Sequence, residues 1–286
     1  MIQGKKIVVT GGAGFIGSNL ITKLKLDNDI IVVDNYISGS SKNHVNGPTY
    51  LYGQSQQVNE LPLFEKCDLF FHFGEYSRVE QSFNEAYQVL ENNSAISNVL
   101  NYCDRSGAKL IYSCSSTVLN DMESDQSLSP YTLTKTINRK IIKNFCNWKN
   151  IDHSIVYFYN AYGRNEISTG PYATVIAKFL ELKQNGATSV PVHAPGTQTR
   201  NFTYIDDIIS GILLAAELGQ GDGYGIGSDQ SYSILQLCKL MDLKPEVVKS
   251  KMGNRPNSPL KNQEIKDLGW QESHNLERYL KELGKK

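Results

Sequence analysis

The sequence is poor in features that cross-link a protein, bind metal or give it a strong charge. Its five cysteines form no Cys-x-x-Cys pair and its five histidines form no His-Glu-x-x-His motif, so neither a disulfide framework nor a metal site is expected. Lys and Arg total 29, as do Asp and Glu, so the net charge is zero. This balance offers no broad basic surface, and we expect no nucleic-acid partner.

Long hydrophobic runs and low-complexity tracts are also absent. No stretch approaches the roughly 18 apolar residues of a transmembrane helix. The apolar run Ile7-Val8-Val9 comes too early to leave room for a signal peptide. The 286 residues, 40% hydrophobic and 20% charged, are typical of a globular protein with one large domain or two small ones. We expect a cytoplasmic protein with no membrane partner.

The first half of the chain alternates short β-branched runs with longer segments whose apolar residues recur every three or four positions. This alternation is typical of βαβ units that build a parallel sheet covered by helices on both faces. We expect an α/β fold with a doubly wound, Rossmann-type parallel sheet. The predicted strands are Lys6–Thr10, Ile30–Asp34, Leu69–Phe73, Lys109–Ser113 and Ser154–Phe158, and the predicted helices Phe15–Leu26, about Ala86–Ser106 and Tyr131–Lys149.

After about Tyr159 the pattern loosens, because glycine and proline break the chain into short elements. Helical patterns remain at Tyr172–Gln184, Ile205–Leu218 and Ile234–Met241. We expect a first domain over 1–160, joined by a return segment at 198–222, and a smaller lobe over 161–286. Ligands of open α/β sheets bind outside the carboxyl ends of the strands, which predicts a site between the two parts.

A glycine-rich turn follows the first predicted strand and opens the first predicted helix. Such a turn needs glycine to bend tightly, to let the backbone approach a pyrophosphate, and to pack helix against strand. The helix N-terminus then offers N–H groups and a positive dipole end to the phosphates. A tight turn without ligand is the alternative. The context favours dinucleotide binding by Gly11, Gly14, Phe15, Ile16 and Gly17.

Asp34 ends the second predicted strand, followed by Asn35. A carboxylate there can accept hydrogen bonds from the adenosine ribose hydroxyls, and its charge would repel the extra phosphate of NADP. We therefore expect NAD as the cofactor, bound in part by Asp34 and Asn35. An aspartate that only caps a turn is the alternative.

Three residues form the predicted catalytic group. Tyr131 and Lys135 are four apart at the start of a helical pattern, which places them on one helix face. A phenol has an unperturbed pKa of about 10, so it needs a nearby cation to act as a base. Ser115 lies just beyond a predicted strand and can hold a substrate oxygen. The alternatives are that Tyr131 and Lys135 lie on a solvent-exposed helix face, and that Ser115 belongs only to a polar strand-to-loop transition.

These residues carry a family resemblance. The chain resembles the extended short-chain dehydrogenase/reductase family, in its branch of nucleotide-sugar epimerases and dehydratases typified by UDP-glucose 4-epimerase. The resemblance covers essentially the whole chain in family order. The matching segments are 10–17, 34–35, 115–117, 131–135, 158–163, 198–207, 226–228 and 268–270.

The resemblance implies an enzyme that holds NAD, oxidises the C4 hydroxyl of a nucleotide sugar, and returns the hydride to the ketone. Tyr131 would be the base, Lys135 its electrostatic support and a ribose ligand, and Ser115 a second contact to the sugar oxygen. Relatives pair through helices corresponding to Ala86–Ser106 and Tyr131–Lys149, which implies a homodimer. The substrate-binding residues would be Ser115, Ser116, Asn160, Arg200 and Arg255.

The residues after Ser115 help to choose among reactions. Dehydratases of this family place Asp-Glu at the positions of Ser116 and Thr117, and UDP-glucuronate decarboxylases place a glutamate at the position of Thr117. Because neither acid is present, C4 epimerisation of a UDP-hexose is the simplest interpretation. A dehydratase, decarboxylase or reductase, or a non-catalytic dinucleotide-sensing protein of the same fold, stays open as an alternative.

Two segments depart from the family pattern. Gln54 and Ser55 stand near the position of an aspartate that contacts adenine in relatives. The segment from Gly74 to Arg78 replaces a small, alanine-rich turn that passes beneath the cofactor. Its charged residues Glu75 and Arg78 either pair with each other, or Tyr76, Ser77 and Arg78 face the substrate and alter specificity.

Overall fold

The computed structural model describes residues 2–119, 128–250, 252–255, 257 and 259–283, apart from the side chains of residues 92 and 93. Within them, seven parallel strands form the main sheet, in the order Thr49–Tyr52, Asp29–Asp34, Lys6–Thr10, Leu69–His72, Lys109–Ser115, His153–Phe158 and Gly221–Ile226. This confirms the predicted doubly wound fold. The strands are β1 Lys6–Thr10, β2 Asp29–Asp34, β3 Thr49–Tyr52, β4 Leu69–His72, β5 Lys109–Ser115, β6 His153–Phe158, β7 Ala161–Tyr162, β8 Ser189–His193, β9 Thr199–Arg200, β10 Thr203–Tyr204, β11 Gly221–Ile226, β12 Tyr232–Ser233 and β13 Lys244–Val248.

The helices that cover the sheet begin and end at residues suited to those positions. In the third, Ser129 accepts a hydrogen bond from the Thr132 amide at 3.1 Å, Pro130 takes the first position, and Asn150 ends the helix in the left-handed conformation. The helices are α1 Phe15–Leu24, α2 Ala86–Ser106, α3 Pro130–Lys149, α4 Val175–Gln184, α5 Ile205–Leu218, α6 Ile234–Leu240, α7 Gln263–Asp267 and α8 Leu276–Leu283.

Apolar side chains pack on both faces of the main sheet, as parallel strands require. One face buries Ile7, Val9 and Val32 against α1 and α5. The other buries Val8, Phe70 and side chains of α2 and α3. Successive side chains of β1 therefore point alternately into the two cores. Because both faces are buried, the strand sequence is a continuous apolar run.

A third, smaller core belongs to the later part of the chain. Tyr162, Phe179, Val192 and Leu237 are buried there together. Between these later elements the chain returns to the main sheet, since α5 packs against it and β11 pairs with β6. The later part of the chain thus contributes both to its own core and to the main sheet.

All five cysteines are buried and without a disulfide. Cys67, Cys103, Cys114 and Cys146 lie in the core beneath α2 and α3, and Cys238 lies in the smaller core. Among the described helices, none is both long and apolar enough to cross a membrane.

Candidate active site

A cavity of about 800 Å³ opens at the carboxyl ends of the main strands, against the later elements of the chain. Its lining includes residues from β2, β5, α3 and the loops that follow β6. Every candidate site residue named from the sequence contributes to its walls: Gly11, Gly14, Phe15, Ile16, Gly17, Asp34, Asn35, Ser115, Ser116, Tyr131, Lys135, Asn160, Arg200 and Arg255.

The glycine-rich turn has the geometry that its sequence predicts. Gly11 has a φ of +71°, and a Cβ on it would lie 2.7 Å from the Phe73 and Gly74 backbone. A Cβ on Gly17 would lie 2.3 Å from the Gly11 carbonyl oxygen. Larger residues would push apart the turn, the strand and the helix. The amide of Ser18 donates the first bond within α1, to Gly14 at 3.0 Å, so the N–H groups before it face the turn.

Asp34 links the second strand to this turn. Its carboxylate accepts hydrogen bonds from the amides of Ala13 and Tyr36, both at 2.8 Å, and it also lines the cavity. The turn-capping alternative thus describes real contacts of this side chain. They hold the carboxylate at the cavity wall, where the ribose contact predicted from sequence can also be made.

The predicted catalytic residues come from a strand end and a helix start. Ser115 closes β5, and its Oγ accepts hydrogen bonds from the Thr117 amide at 3.3 Å and the Thr117 hydroxyl at 2.9 Å. Neither bond uses the Ser115 hydroxyl proton, which can therefore be donated to a ligand in the cavity. Tyr131 and Lys135 lie one turn apart on α3, and Lys135 Nζ donates to the Ser113 carbonyl at 2.6 Å. The lysine is only 4% exposed.

Glu75 is the residue whose position sequence reasoning missed. Its side chain is 2% exposed, and its Oε2 lies 2.6 Å from Lys135 Nζ. Arg78 instead donates through Nε to the Tyr172 carbonyl at 2.9 Å. The interpretation of Glu75 and Arg78 as a mutual ion pair is therefore wrong. Tyr76, Ser77 and Arg78 line the cavity, as the alternative interpretation expects.

The charges of Glu75 and Lys135 support each other. Burial alone would raise the pKa of Glu75, but Lys135 and then His72 outweigh it and hold that pKa below its usual range. Burial alone would lower the pKa of Lys135, but Glu75, with a smaller contribution from Tyr131, holds it above its usual range. Both groups are therefore ionised at neutral pH.

A second carboxyl group with a shifted pKa lines the cavity. Burial raises the pKa of Glu166 to about 7, although hydrogen bonds from the Thr174 hydroxyl and the Gly163 amide oppose the shift. The nearby Arg78 opposes it as well. No motif marked Glu166 in the sequence, because its environment is assembled from separate loops.

The far end of the cavity carries two arginines. Arg200 donates to the Thr199 carbonyl at 2.7 Å and to the Arg255 carbonyl at 2.9 Å. Burial, and then the charge of Arg255, lowers the pKa of Arg200 to about 10. Asn160, in a left-handed conformation with φ 34°, also lines the cavity. Two adjacent guanidinium groups favour an anionic ligand such as a diphosphate.

A sequence model of the NAD dependent epimerase/dehydratase family matches residues 7–227. Among solved structures, the chain is similar to a UDP-N-acetylglucosamine 4-epimerase from Methanobrevibacter ruminantium M1, in complex with UDP-N-acetylmuramic acid. The two have a TM-score of 0.90 and 25% identity, over 99% of this chain and 98% of that one. It is also similar to a UDP-glucose 4-epimerase with UDP-glucose from Thermotoga maritima, with a TM-score of 0.88 and 26% identity over 96% of each chain.

Curated proteins of similar sequence include enzymes with another reaction. UDP-glucuronic acid decarboxylase 6 of Arabidopsis thaliana is 29% identical over 89% of this chain and 79% of its own length. A UDP-N-acetyl-alpha-D-glucosaminuronate decarboxylase of Bacillus cytotoxicus is 28% identical over 82% of this chain and 78% of its own. The relatives thus agree on nucleotide sugars and differ in what is done to them.

Proposed function

Because the chain belongs to the NAD-dependent epimerase/dehydratase family, we propose that it inverts C4 of a UDP-hexose through a transient 4-keto sugar. The observation that carries this proposal is the pair of residues after Ser115. Ser116 and Thr117 are hydroxyl side chains, where elimination or decarboxylation in this family uses acids. Thr117 is committed to Ser115 through two hydrogen bonds. Such a site exchanges hydride and proton at the sugar and leaves its carbon skeleton intact.

The residues present fit NAD. The cradle formed by Gly11 and Gly17 has no room for a Cβ, and the first turn of α1 points N–H groups at it. When bound, NAD supplies the hydride acceptor. Phe15, Ile16 and Gly14 would contact the pyrophosphate, Asp34 and Asn35 the adenosine ribose, and Lys135 the nicotinamide ribose.

Tyr131 removes the proton of the C4 hydroxyl in this proposal. Tyr131 acts as the phenolate and becomes the neutral phenol when it takes this proton, and Lys135 supplies the positive charge that stabilises the phenolate beforehand. Ser115 donates its remaining proton to the sugar oxygen and so holds it within reach of Tyr131. The cavity of about 800 Å³ gives the 4-keto sugar room to present its other face before reduction.

Arg200, Arg255 and Asn160 hold the diphosphate in this proposal, and all three line the cavity. Paired guanidinium groups bind a diphosphate through several charge-assisted hydrogen bonds. This anchors the nucleotide while the sugar changes orientation at the other end of the cavity.

Decarboxylation of a UDP-uronate is the second candidate, favoured by the sequence similarity to decarboxylases. The structure offers one feature in its support, since Arg78 lines the cavity near Tyr131 and could bind a sugar carboxylate. The absence of an acid at Thr117 counts against it. Epimerisation leaves the mass of the sugar nucleotide unchanged, whereas decarboxylation removes carbon dioxide.

Incubation with single nucleotide sugars tests the proposal. UDP-glucose, UDP-galactose, their N-acetylated counterparts and UDP-glucuronate are supplied separately, with and without added NAD, and followed by proton NMR and mass spectrometry. Interconversion of a C4 pair at constant mass is the expected result. A product lighter by carbon dioxide or water would replace epimerisation with decarboxylation or dehydration, and no change in any sample would overturn the UDP-hexose assignment.

We also propose a homodimer formed through α2 and α3. These helices pack together and expose apolar side chains, among them Tyr87 at 88% and Trp148 at 75%. Burying such side chains against a second copy would remove them from water. Light scattering coupled to size-exclusion chromatography is expected to give twice the chain mass of 32.0 kDa. A single-chain mass would contradict the proposal.

A further inference from the structure

The Glu75 carboxylate is surrounded by donors. Its Oε2 accepts hydrogen bonds from Lys135 Nζ at 2.6 Å and from the Tyr112 hydroxyl at 2.8 Å. Its Oε1 accepts one from Asn138 Nδ2 at 2.9 Å and lies 3.3 Å from His72 Nε2. Few lone pairs remain for a substrate, so this carboxylate is poorly placed to act as an acid or base itself.

The ion pair with Glu75 restricts the orientation of the Lys135 ammonium. Its ammonium has three N–H donors, and Glu75 and the Ser113 carbonyl take two of them at 2.6 Å each. The third N–H is left for a ligand in the cavity. The Tyr112 ring lies 4.9 Å from Nζ and packs against the same cation. Lys135 is therefore oriented by the protein before anything binds.

We propose that Glu75 is a positioning residue that holds Lys135 charged and oriented for the nicotinamide ribose. The proposal rests on the role assigned above to Lys135. Without Glu75, the lysine would remain 4% exposed among apolar and aromatic groups, and the ammonium would lose its counter-charge. Burial would then dominate and the lysine would give up its proton at a lower pH.

Other ionisable groups face this pair from several elements. They are His72 from β4, Tyr112 and Cys114 from β5, and Tyr131 from α3. Burial raises the pKa of Cys114 to about 12 and that of Tyr112 well above its usual range. Neither group therefore supplies a negative charge to Lys135 between pH 7 and pH 9.5, and Glu75 does so throughout that range.

Cofactor affinity as a function of pH gives the first test. NAD titrations of the wild type, by calorimetry from pH 6 to pH 9.5, are expected to give a nearly constant dissociation constant. Glu75→Gln keeps the shape and a hydrogen-bond acceptor, but we expect it to lose roughly tenfold in affinity between pH 7 and pH 9.5. Glu75→Gln/Lys135→Arg, whose guanidinium stays charged, should lack this added pH dependence.

Glu85→Gln is the matched control. Glu85 accepts hydrogen bonds from Tyr76 at 2.7 Å and Tyr172 at 2.9 Å, so it too is a hydrogen-bonded carboxylate of this region. It does not contact Lys135. Its variant is expected to show the pH dependence of the wild type, because a general disturbance of the cavity does not change the ionisation of Lys135.

Thermal melting of the protein without ligands gives the second test. At pH 7, Glu75→Gln/Lys135→Met should melt at a higher temperature than Glu75→Gln, because it no longer buries an unbalanced ammonium. In Glu75→Gln the lysine pKa lies below its unfolded value, so stability rises with pH. The difference between the two variants should therefore shrink toward pH 10. This comparison remains usable if Glu75→Gln folds poorly.

Two results would overturn the proposal. One is a Glu75→Gln variant whose NAD affinity follows the wild type at every pH, and the other is a melting difference that does not change with pH. Neither test uses a sugar, so failure of the proposed role of Glu75 can be told apart from failure of the proposed reaction. Failed turnover with the expected titrations would refute only the proposed reaction. Normal turnover with unchanged titrations would refute only the role of Glu75.

Discussion

The two ends of the active-site cavity are held by different means. At the sheet end, the side chains of Lys135 and Glu75 are 5% and 2% exposed and are joined to the ends of β4 and β5. At the other end, Arg200 is held by backbone carbonyls and by the Asn254 amide group of a loop. The main-sheet strands β4 and β5 and helix α3 fix the first end, whereas the two-residue strand β9 and the neighbouring loops fix the second.

This difference matches the demands of the proposed chemistry. Hydride and proton transfer lose rate when reacting atoms move by about 1 Å, so they belong where strand register sets positions. A diphosphate binds through charge and tolerates small displacements. Substitutions at the sheet end should therefore change turnover or folding, and those at the arginine end should change binding.

Tyr131→Phe should have the largest effect. Removing the hydroxyl deletes the proposed general base, and we expect turnover to fall by roughly 10³-fold or more. NAD affinity and melting temperature should stay close to the wild type, because the ring remains. Turnover is measured by NMR and NAD binding by calorimetry. Retained turnover would remove Tyr131 from the mechanism and with it the contrast between the two ends.

Glu75→Gln should next reduce stability. Removing one partner of a buried ion pair leaves a charge unbalanced and costs about 3–5 kcal/mol. Urea denaturation at pH 7 measures the change. The control is Lys149→Gln, which breaks the exposed pair with Asp104 at 3.3 Å and should cost less than about 1 kcal/mol. Equal costs would show that the sheet end is no more rigidly coupled than the surface.

Arg200→Gln should mainly weaken substrate binding. Loss of a charge-assisted contact to phosphate corresponds to about 1.5–3 kcal/mol, or a rise in KM of roughly 10- to 100-fold. The turnover number should change far less, because the hydride-transfer end is untouched. Steady-state kinetics at several salt concentrations provide the check. A fall in kcat with constant KM would place Arg200 in the chemical step.

Glu166→Gln should have the smallest effect on turnover, and its effect on stability should depend on pH. The pKa of Glu166 is raised to about 7 in the folded protein, above its unfolded value, so folding stability falls as pH rises from roughly 4.5 to 7. The amide cannot ionise, so the variant should be more stable than the wild type at pH 8, by roughly 3 kcal/mol, with little difference at pH 4.5. Parallel denaturation at the two pH values decides this.

The sheet end was largely predictable from sequence, because its signals are local. The strands β1, β4 and β6 are apolar runs, and the glycine turn and the spacing of Tyr131 and Lys135 are contiguous patterns. Several strands were not predicted, among them β3 and β13. β3 begins and ends with exposed residues, and every residue of β13 is exposed, so neither gives an apolar pattern.

The partner of Glu75 was not predictable in the same way. Glu75 follows β4 by three residues, and Lys135 lies 60 positions further along, so only the parallel pairing of β4 with β5 and the packing of α3 bring them together. A charged residue in a turn just past a strand was the available signal. This signal marked the segment as unusual. Arg78 is the cation nearer to Glu75 in the sequence, so the predicted ion pair joined Glu75 to Arg78, and that prediction was wrong.

The buried cysteines are natural probes of local opening in this protein. Burial raises the pKa of Cys67 to about 11 and that of Cys146 to about 12, so these thiols are protonated as well as covered. A thiol reagent should modify them only when their surroundings open. Four of them sense the α2 and α3 face of the main sheet, and Cys238 senses the smaller core. Labelling followed by peptide mapping would thus measure the rate of local opening around each cysteine without any engineered probe.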